Sequence, residues 1–363
     1  MPATLAFKAN AYDAIERLRT LYSGAGRDRI YAAFDIPSPA LERFAARYPH
    51  GYCPPPDPEE RVRFWEEHLA ERTRLEDDSL PCAYLSEFDQ GLYGGLFGGE
   101  VQFMAHPDNG WISSMVAPLL EDWAQFDALR FDESAPWYRR FVEQTKLFAG
   151  RAEGRFGVSH FILIDGLNFV FELVGATATY MALIDRRDEV RRAIDLAFEV
   201  NLRIQADFFE IVGLFEGGTF SNMAGWLPGR IVSESVDPFH MTAVDYFEEW
   251  GREPVERILA QFDGGVVHIH GNGRHLLEAV ASVRGLKAMM LADDRGFPLA
   301  FEVLPELQAR TGELPLVVEA EFPAFEAALG RHELCGGALY KVSGAPDLDA
   351  ANRCMERVRD YRL

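Results

Sequence analysis

The chain has 363 residues, 48% of them hydrophobic and 26% charged, which is the composition of a globular protein with a large core. A net charge of −21 and a pI near 4.9 argue against nucleic acid or an anionic membrane as the partner, because nonspecific binding to either needs a positive surface. The four cysteines, Cys53, Cys82, Cys335 and Cys354, are scattered without a CxxC pair, so we expect a reduced, cytoplasmic protein without a disulfide framework.

The first 79 residues are predicted to form a helical arm. The proline-rich segment 54–58 separates its first part from a predicted helix, Glu59 to Glu76, whose acidic start suits a helix N-terminus. The N-terminus has no long apolar core, so no signal peptide is expected. The longest weakly charged stretch, Gly166 to Ile184, contains Asn168 and Glu172 and makes a poor membrane span. The glycine-rich segment 91–100 does not have the spacing of a phosphate-binding loop, and we expect a mobile or tightly turned loop there, with approach to a ligand as the alternative.

Eight short apolar runs from Leu80 onward have strand character. They lie near Leu80–Leu85, Phe156–Ile164, Val212–Phe220, Arg230–Val236, Gly265–His270, Leu286–Leu291, Leu314–Glu319 and Gly337–Val342.

The later runs alternate with predicted helices. These are Thr242–Gln261, Arg274–Val283, Leu299–Arg310, Pro323–Gly330 and Asp347–Tyr361. Strand–helix alternation implies parallel strands with right-handed crossovers, and eight such units would close a (β/α)8 TIM barrel. The predicted fold is therefore an α/β TIM barrel over residues 80–363, with the N-terminal helical extension, residues 1–79, packed on it.

Ionisable side chains follow several predicted strands at the end where barrel enzymes place their active sites. His268 and His270 are two residues apart at a strand end and are expected to point the same way. Asp165, Asp237 and Glu319 end or follow other strands. An aspartate after a strand often only caps the next helix, and this alternative stays open for Asp165 and Asp237.

Four stretches resemble the uroporphyrinogen decarboxylase superfamily, which also contains the corrinoid and coenzyme M methyltransferases. They are SVDPFHMTAVDYFEEWGREPVERI from Ser235, GGVVHIHGNGRHLLEAV from Gly264, FILIDGLNFVFELVGATATYMALIDRRDEV from Phe161 and GAPDLDAANRCMERVRDY from Gly344. The resemblance covers roughly residues 80 to 363 and implies the TIM-barrel fold.

The sequence departs from the family patterns at two places. Nothing near the N-terminus matches the arginine-rich motif with which the authentic decarboxylases grip substrate propionates, so we expect a divergent member. The zinc-dependent methyltransferases of the superfamily bind zinc through His-x-Cys and a late cysteine. His268 stands at the histidine position, whereas His270 replaces the first cysteine and Ser343 lies near the late one.

Two imidazoles and a carboxylate make a harder metal site than thiolates do, and such a site suits the activation of a water, alcohol or ether oxygen. The predicted metal ligands are His268, His270 and Glu319, with Asp237 as the alternative carboxylate. The predicted catalytic residues are Asp165, His268 and His270. The residues predicted to bind substrate are Asn168, Asp237, Glu319 and Tyr340.

The resemblance implies a methyltransferase-like enzyme that moves a methyl group between a small substrate and a corrinoid on a partner protein, with zinc as the candidate metal. It also implies a homodimer. Two alternatives stay open: a decarboxylase or other lyase acting on a small carboxylate, which a basic group near the strand ends would favour, and a non-catalytic binding barrel, which the missing thiolates would favour.

Overall fold

The computed structural model describes residues 4–159, 162–164 and 166–363. Asp165 lies outside these residues, so its expected catalytic role stays a prediction. The helices are α1 (Ala11–Tyr22), α2 (Pro39–Arg47), α3 (Pro58–Ala70), α4 (Leu92–Leu96), α5 (Pro136–Ala152), α6 (Gly166–Val174), α7 (Ala176–Asp185), α8 (Arg187–Val212), α9 (Val244–Trp250), α10 (Arg252–Leu259), α11 (Leu277–Ala281), α12 (Leu304–Thr311), α13 (Phe322–Arg331) and α14 (Leu348–Asp360). The strands are β1 (Tyr31–Phe34), β2 (Gly51–Cys53), β3 (Cys82–Tyr84), β4 (Val101–His106), β5 (Trp111–Val116), β6 (Gly157–Ser159), β7 (Ile162–Ile164), β8 (Gly218–Ser221), β9 (Gly225–Pro228), β10 (Ile231–Ser235), β11 (Gly264–Ile269), β12 (Leu286–Leu291), β13 (Leu316–Glu321) and β14 (Ala338–Ser343).

A parallel sheet of seven strands forms the centre of the fold, in the order β1-β14-β13-β12-β11-β10-β7. A separate parallel pair joins β3 to β6. The predicted α/β class with parallel strands is therefore confirmed. The strand ladders form an open row and a pair, so this topology does not show a closed barrel.

Two predicted strands differ from those observed. The run at Val212–Phe220 is split, because α8 continues to Val212 and the chain then forms the antiparallel hairpin β8–β9. The predicted strand at Phe156–Ile164 corresponds to β6 and β7, which pair with different neighbours. The sequence analysis also missed β1, which lies within the predicted helical arm and joins the sheet beside β14.

Alternate residues along the parallel strands enter two different hydrophobic clusters. Tyr31, Val266, Val317 and Leu339 belong to a cluster that also contains residues of α1 and of the hairpin β8–β9. The residues between them face the surrounding helices, as Tyr340 does. We call the first side the inner face of the sheet, because α1 and the hairpin pack against it.

The free edge of β1 is hydrogen-bonded by two buried carboxylates. Oδ2 of Asp78 accepts the backbone N–H of Ala32 at 2.9 Å, and Oδ2 of Asp77 accepts that of Phe34 at 2.7 Å. Lys8 pairs with Asp77 at 2.6 Å and Arg17 pairs with Asp78 at 2.5 Å. The residues before β3 thus take the place of a neighbouring strand.

The glycine-rich segment is packed between other elements. It forms the short helix α4, where a Cβ on Gly94 would overlap Val116 and a Cβ on Gly95 would overlap Trp137. Close packing therefore explains these two glycines without a ligand.

Among the described residues, no single helix combines the length and apolar composition that crossing a membrane requires. Helices α6 and α7 meet these criteria as a pair, and the chain bends by 112° between them.

Candidate functional site

The candidate site lies at the carboxyl ends of β10 and β11, which are parallel neighbours. His268 follows Val266 by two residues, so it shares the inner face, and it is 8% exposed. Asp237 begins a 3-10 turn directly after β10, and its backbone N–H donates to Oγ of Ser235 at 3.2 Å. The parallel pairing brings the two residues together, with Oδ1 of Asp237 3.0 Å from Nε2 of His268.

Asp237, His268 and His270 form a group suited to hold a metal ion, since one ligand atom from each lies within 4.8 Å of the others. Oδ1 of Asp237 and Nδ1 of His268 are buried and have no hydrogen-bond partner among the described residues. The close approach of Asp237 and His268 therefore lacks the alignment of a hydrogen bond. Two tetrahedral ligands, each about 2.0–2.1 Å from zinc, would lie roughly 3.3 Å apart, so this pair has the spacing of a ligand pair.

Asp294 fixes the orientation of His270. Its Oδ1 lies 3.0 Å from Nδ1 of His270, and its Oδ2 accepts the backbone N–H of Asn272 at 3.1 Å. With Nδ1 engaged in this way, Nε2 of His270 is left to bind a ligand. In metal sites, a ligating histidine commonly donates its other ring N–H to a carboxylate, which fixes the tautomer and the orientation of the ring.

His240 extends the cluster on the same 3-10 turn as Asp237. Its Nδ1 lies 3.7 Å from Oδ1 of Asp237, and its ring meets that of His270 edge to face at 5.7 Å between centroids. Nε2 of His240 is buried without a hydrogen-bond partner in the described part of the chain. A Cβ on Gly273 would overlap this ring, which explains the glycine at that position.

Burial and the neighbouring imidazoles set the charges of the cluster. Burial lowers the pKa of His240 to about 4, against the opposing effect of the Asp237 carboxylate, so His240 is neutral at pH 7. Burial alone would raise the pKa of Asp237, but His268 and the other two histidines outweigh it and hold the pKa below its usual range. Asp237 is therefore an ionised carboxylate among imidazoles, as a ligand of a cation must be.

The other described residues predicted for the site do not belong to the metal-suited group. Glu319 is exposed on β13 and does not belong to the metal-suited group, whose carboxylate is Asp237. Glu319 instead lines a cavity of about 750 Å³ beside α13. Tyr340 is fully buried on the helix-facing side of β14, where its hydroxyl donates to the carbonyl of Cys335 at 2.8 Å. Asn168 is half-buried on α6, a helix that contacts the turn that bears Asp237.

The sequence analysis assigned neither His240 nor Asp294 to the site. Asp237 and His240 are three residues apart in Asp-Pro-Phe-His, which one helical turn brings to the same side, so a signal for His240 was present. The contact between Asp294 and His270 joins two successive strand ends, and no local pattern marks it.

No protein-family model matches the sequence, and a comparison with curated proteins finds no significant relative. A solved structure of a methyltransferase from Methanosarcina mazei is similar, with a TM-score of 0.61 over 98% of this chain and 99% of that chain. The two proteins share a fold. Their sequences are 14% identical, so the likeness extends to the fold alone.

Proposed function

We propose that this protein is a methyltransferase-like enzyme that moves a methyl group between a small substrate and a corrinoid carried by a partner protein. The observation that supports the proposal most directly is the group Asp237, His268 and His270 at the carboxyl ends of parallel strands. The fold shared with a methyltransferase is consistent with it. Membership of the uroporphyrinogen decarboxylase superfamily and a homodimeric, cytoplasmic enzyme are part of the same proposal.

The proposed metal ligands are Asp237, His268 and His270, and the proposed metal is zinc. Two imidazoles and one carboxylate with an open fourth position are a donor set of catalytic zinc sites. Zinc held there would act as a Lewis acid on an oxygen of the substrate. Glu319 is not proposed as a ligand, because it stands outside the group.

The surrounding residues have distinct roles in this proposal. Asp294 holds the ring of His270 so that Nε2 faces the substrate. His240 stays neutral and adds no positive charge that would repel a cation from the ligands. The apolar cluster on the inner face excludes water below the site, which strengthens the electrostatic interactions within it.

We also propose that the parallel strands belong to one eight-stranded barrel. The row would close through the pair β3–β6 if β6 and β7, which follow each other in the chain, count as one barrel strand and β3 as the eighth. The residues just before β3 already bind the edge of β1. The site would then lie at the carboxyl face of the barrel, where the enzymes of this fold have their active sites.

Two measurements test the proposal. Metal analysis of the purified protein should find about one equivalent of zinc, and incubation of the metal-loaded protein with cob(I)alamin and small methyl ethers should convert the cobalamin spectrum to that of methylcobalamin. A His268→Ala, His270→Ala double variant should lose both the bound zinc and the methylation of cobalamin. Protein that retains its full metal content in this variant, or that never methylates the cobalamin with any ether, contradicts the proposal.

One observation favours a carboxy-lyase as the second candidate. Lys341 lies on the inner face two residues after Leu339, so a basic group is present near the strand ends. Release of carbon dioxide from small carboxylates, without methylation of cobalamin, would support this candidate.

A further inference from the structure

Lys341 places a positive charge on the inner face of the sheet. Leu339 belongs to the cluster on this face and Tyr340 to the cluster beneath the helices, so the alternation of the strand turns Lys341 inward, as it does His268. The side chain is half-buried, and its Nζ donates to the backbone carbonyl of Asn222 at 3.1 Å. Asn222 lies in the turn of the hairpin that packs against the inner face.

The ammonium group of Lys341 is incompletely paired within the described part of the chain. It has three N–H donors, and the carbonyl of Asn222 accepts one of them. Glu319 is its register neighbour on β13, yet the two side chains form no ion pair, and no other described carboxylate forms one with Lys341. A partly buried cation with free donors is stabilised by an anion that reaches it.

The residue that accepts from Lys341 also has an unpartnered polar atom. Oδ1 of Asn222 is buried without a hydrogen-bond partner among the described residues. The thiol of Cys82 lies in the field of two cations: burial raises its pKa to about 11, while the charges of Arg72 and Lys341 act in the opposite direction. Lys341 therefore brings positive charge to this part of the inner face, which we call the cationic region.

The cationic region and the metal-suited group lie on different strands of the same face. Lys341 is on β14 and His268 is on β11, and two strands separate them. Three strand spacings correspond to roughly 14 Å between the two backbones along the sheet. Because both side chains point inward, the ammonium group of Lys341 and the ring of His268 are closer together than the backbones are. A small molecule with an anionic group at one end and a reacting atom at the other would bridge the two.

We propose that Lys341 determines substrate specificity by binding a carboxylate of the substrate, while the methyl-bearing oxygen faces Asp237, His268 and His270. The substrate class is thus a small methyl ether that carries a carboxylate. This inference rests on the proposed methyl transfer for the identity of the reacting atom. The binding of the carboxylate to Lys341 is a separate event that can be measured without turnover.

The test compares two ligands of nearly the same size, methoxyacetate and its neutral analogue 2-methoxyacetamide. Their dissociation constants are measured by ligand-observed NMR with the metal-loaded protein and with its Lys341→Gln and Lys341→Arg variants. The wild-type protein should bind the acid about tenfold or more tightly than the amide, as expected for hydrogen bonds to a charged group. Lys341→Gln keeps a donor for Asn222 and should bind the two ligands within about twofold of each other, whereas Lys341→Arg should retain the preference.

Lys146→Met is the matched control, since Lys146 is exposed on α5 and its loss should not change the preference. Thermal unfolding shows whether each variant is folded. Equal binding of acid and amide by the wild type, no binding of either, or a preference that survives in folded Lys341→Gln would overturn the inference. Preferential binding of the acid without methylation of cobalamin would support the role of Lys341 and contradict the proposed methyl transfer.

Discussion

Oδ1 of Asp294 lies 3.0 Å from Nδ1 of His270, and the same carboxylate accepts the backbone N–H of Asn272 through its other oxygen. The turn after β11 and the end of β12 are thereby joined at the site. The contact leaves Nε2 of His270 as the nitrogen that a ligand can reach. It links the proposed metal group to the backbone, so it should affect metal affinity without contributing a ligand.

Asp294→Ala should therefore lower zinc affinity by about 10- to 100-fold, which is the usual effect of removing such a support. Competition with a chromophoric chelator measures the affinity. Asp245→Ala is the control, because Asp245 is exposed on α9 and stands outside the cluster. Unchanged zinc affinity in a folded Asp294→Ala protein would show that His270 needs no such support.

The sequence analysis named Glu319 as the carboxylate ligand and Asp237 as its alternative, whereas the metal-suited group contains Asp237. Asp237→Asn should remove nearly all bound metal, because an amide is a poor zinc ligand and the group loses its single negative charge. Glu319→Gln should leave the metal content near that of the wild type. Elemental analysis of both variants, purified with zinc present, decides between them, and loss of metal in Glu319→Gln alone would reverse the assignment.

Gly273 is required by the packing of His240. Because a Cβ on Gly273 would overlap that ring, Gly273→Ala should lower the free energy of unfolding by about 1–3 kcal/mol and displace His240. Gly150→Ala is the control, since Gly150 lies in α5 with open space around it, and alanine there should be neutral or stabilising by up to about 1 kcal/mol. Urea denaturation measures both. Equal stabilities of the two variants would contradict this account of Gly273.

The strand–helix alternation predicted most of the parallel strands, because a run that is buried on both faces is apolar and readable by itself. It did not predict β1, which is a short strand of four residues. The carboxylates of Asp77 and Asp78 accept hydrogen bonds at its outer edge, where a neighbouring strand would otherwise pair. It also misread the run at Val212, where α8 ends, Gly213 follows with a positive φ of 71°, and the chain continues into a hairpin. The apolarity of a short run does not distinguish a strand from the end of a helix, and it does not identify a strand as short as β1.

The site was predictable to a similar degree. Strand-end position and period-two spacing pointed to His268 and His270, with Glu319 as the carboxylate and Asp237 as its alternative, since the ends of parallel strands meet at one edge. The choice of Asp237 over Glu319 in the metal-suited group depends on the strand order, which places β10 and not β13 beside β11. The predicted barrel implies the same order, because the run before Asp237 and the run that ends at His270 are consecutive, so sequence reasoning could have made this choice.

Glu172 should make the stability depend on pH. Burial raises the pKa of this carboxyl well above 4.5, although the N–H of Gly94 donates to its Oε2 at 2.5 Å and acts in the opposite direction. Between 4.5 and the higher folded-state pKa, the folded protein holds a proton that the unfolded chain has released, so stability falls as the pH rises. The slope is about 1.4 kcal/mol per pH unit.

Glu172→Gln cannot ionise, so this part of the pH dependence should disappear and the variant should gain stability relative to the wild type as the pH rises. Chemical denaturation at several pH values above 5 measures the difference. Glu210→Gln, at an exposed position of α8, should leave the pH profile unchanged. Parallel profiles of the wild type and Glu172→Gln would show that Glu172 ionises as freely in the folded state as in the unfolded chain.

Asp78 should be among the residues on which the fold depends most. Its carboxylate accepts the N–H of Ala32 at 2.9 Å and pairs with Arg17 at 2.5 Å, and its side chain is 1% exposed. Asp78→Ala would leave a largely buried guanidinium without its counter-charge and a strand-edge N–H without an acceptor, so the free energy of unfolding should fall by about 3–5 kcal/mol.

The control is Asp35→Ala, which removes the partner of Arg72 at the end of the same strand. Asp35 is 71% exposed, so the loss should be below about 1 kcal/mol. Urea denaturation of both variants measures the contrast, and a loss in Asp78→Ala as small as in Asp35→Ala would mean that water replaces the carboxylate at the edge of β1.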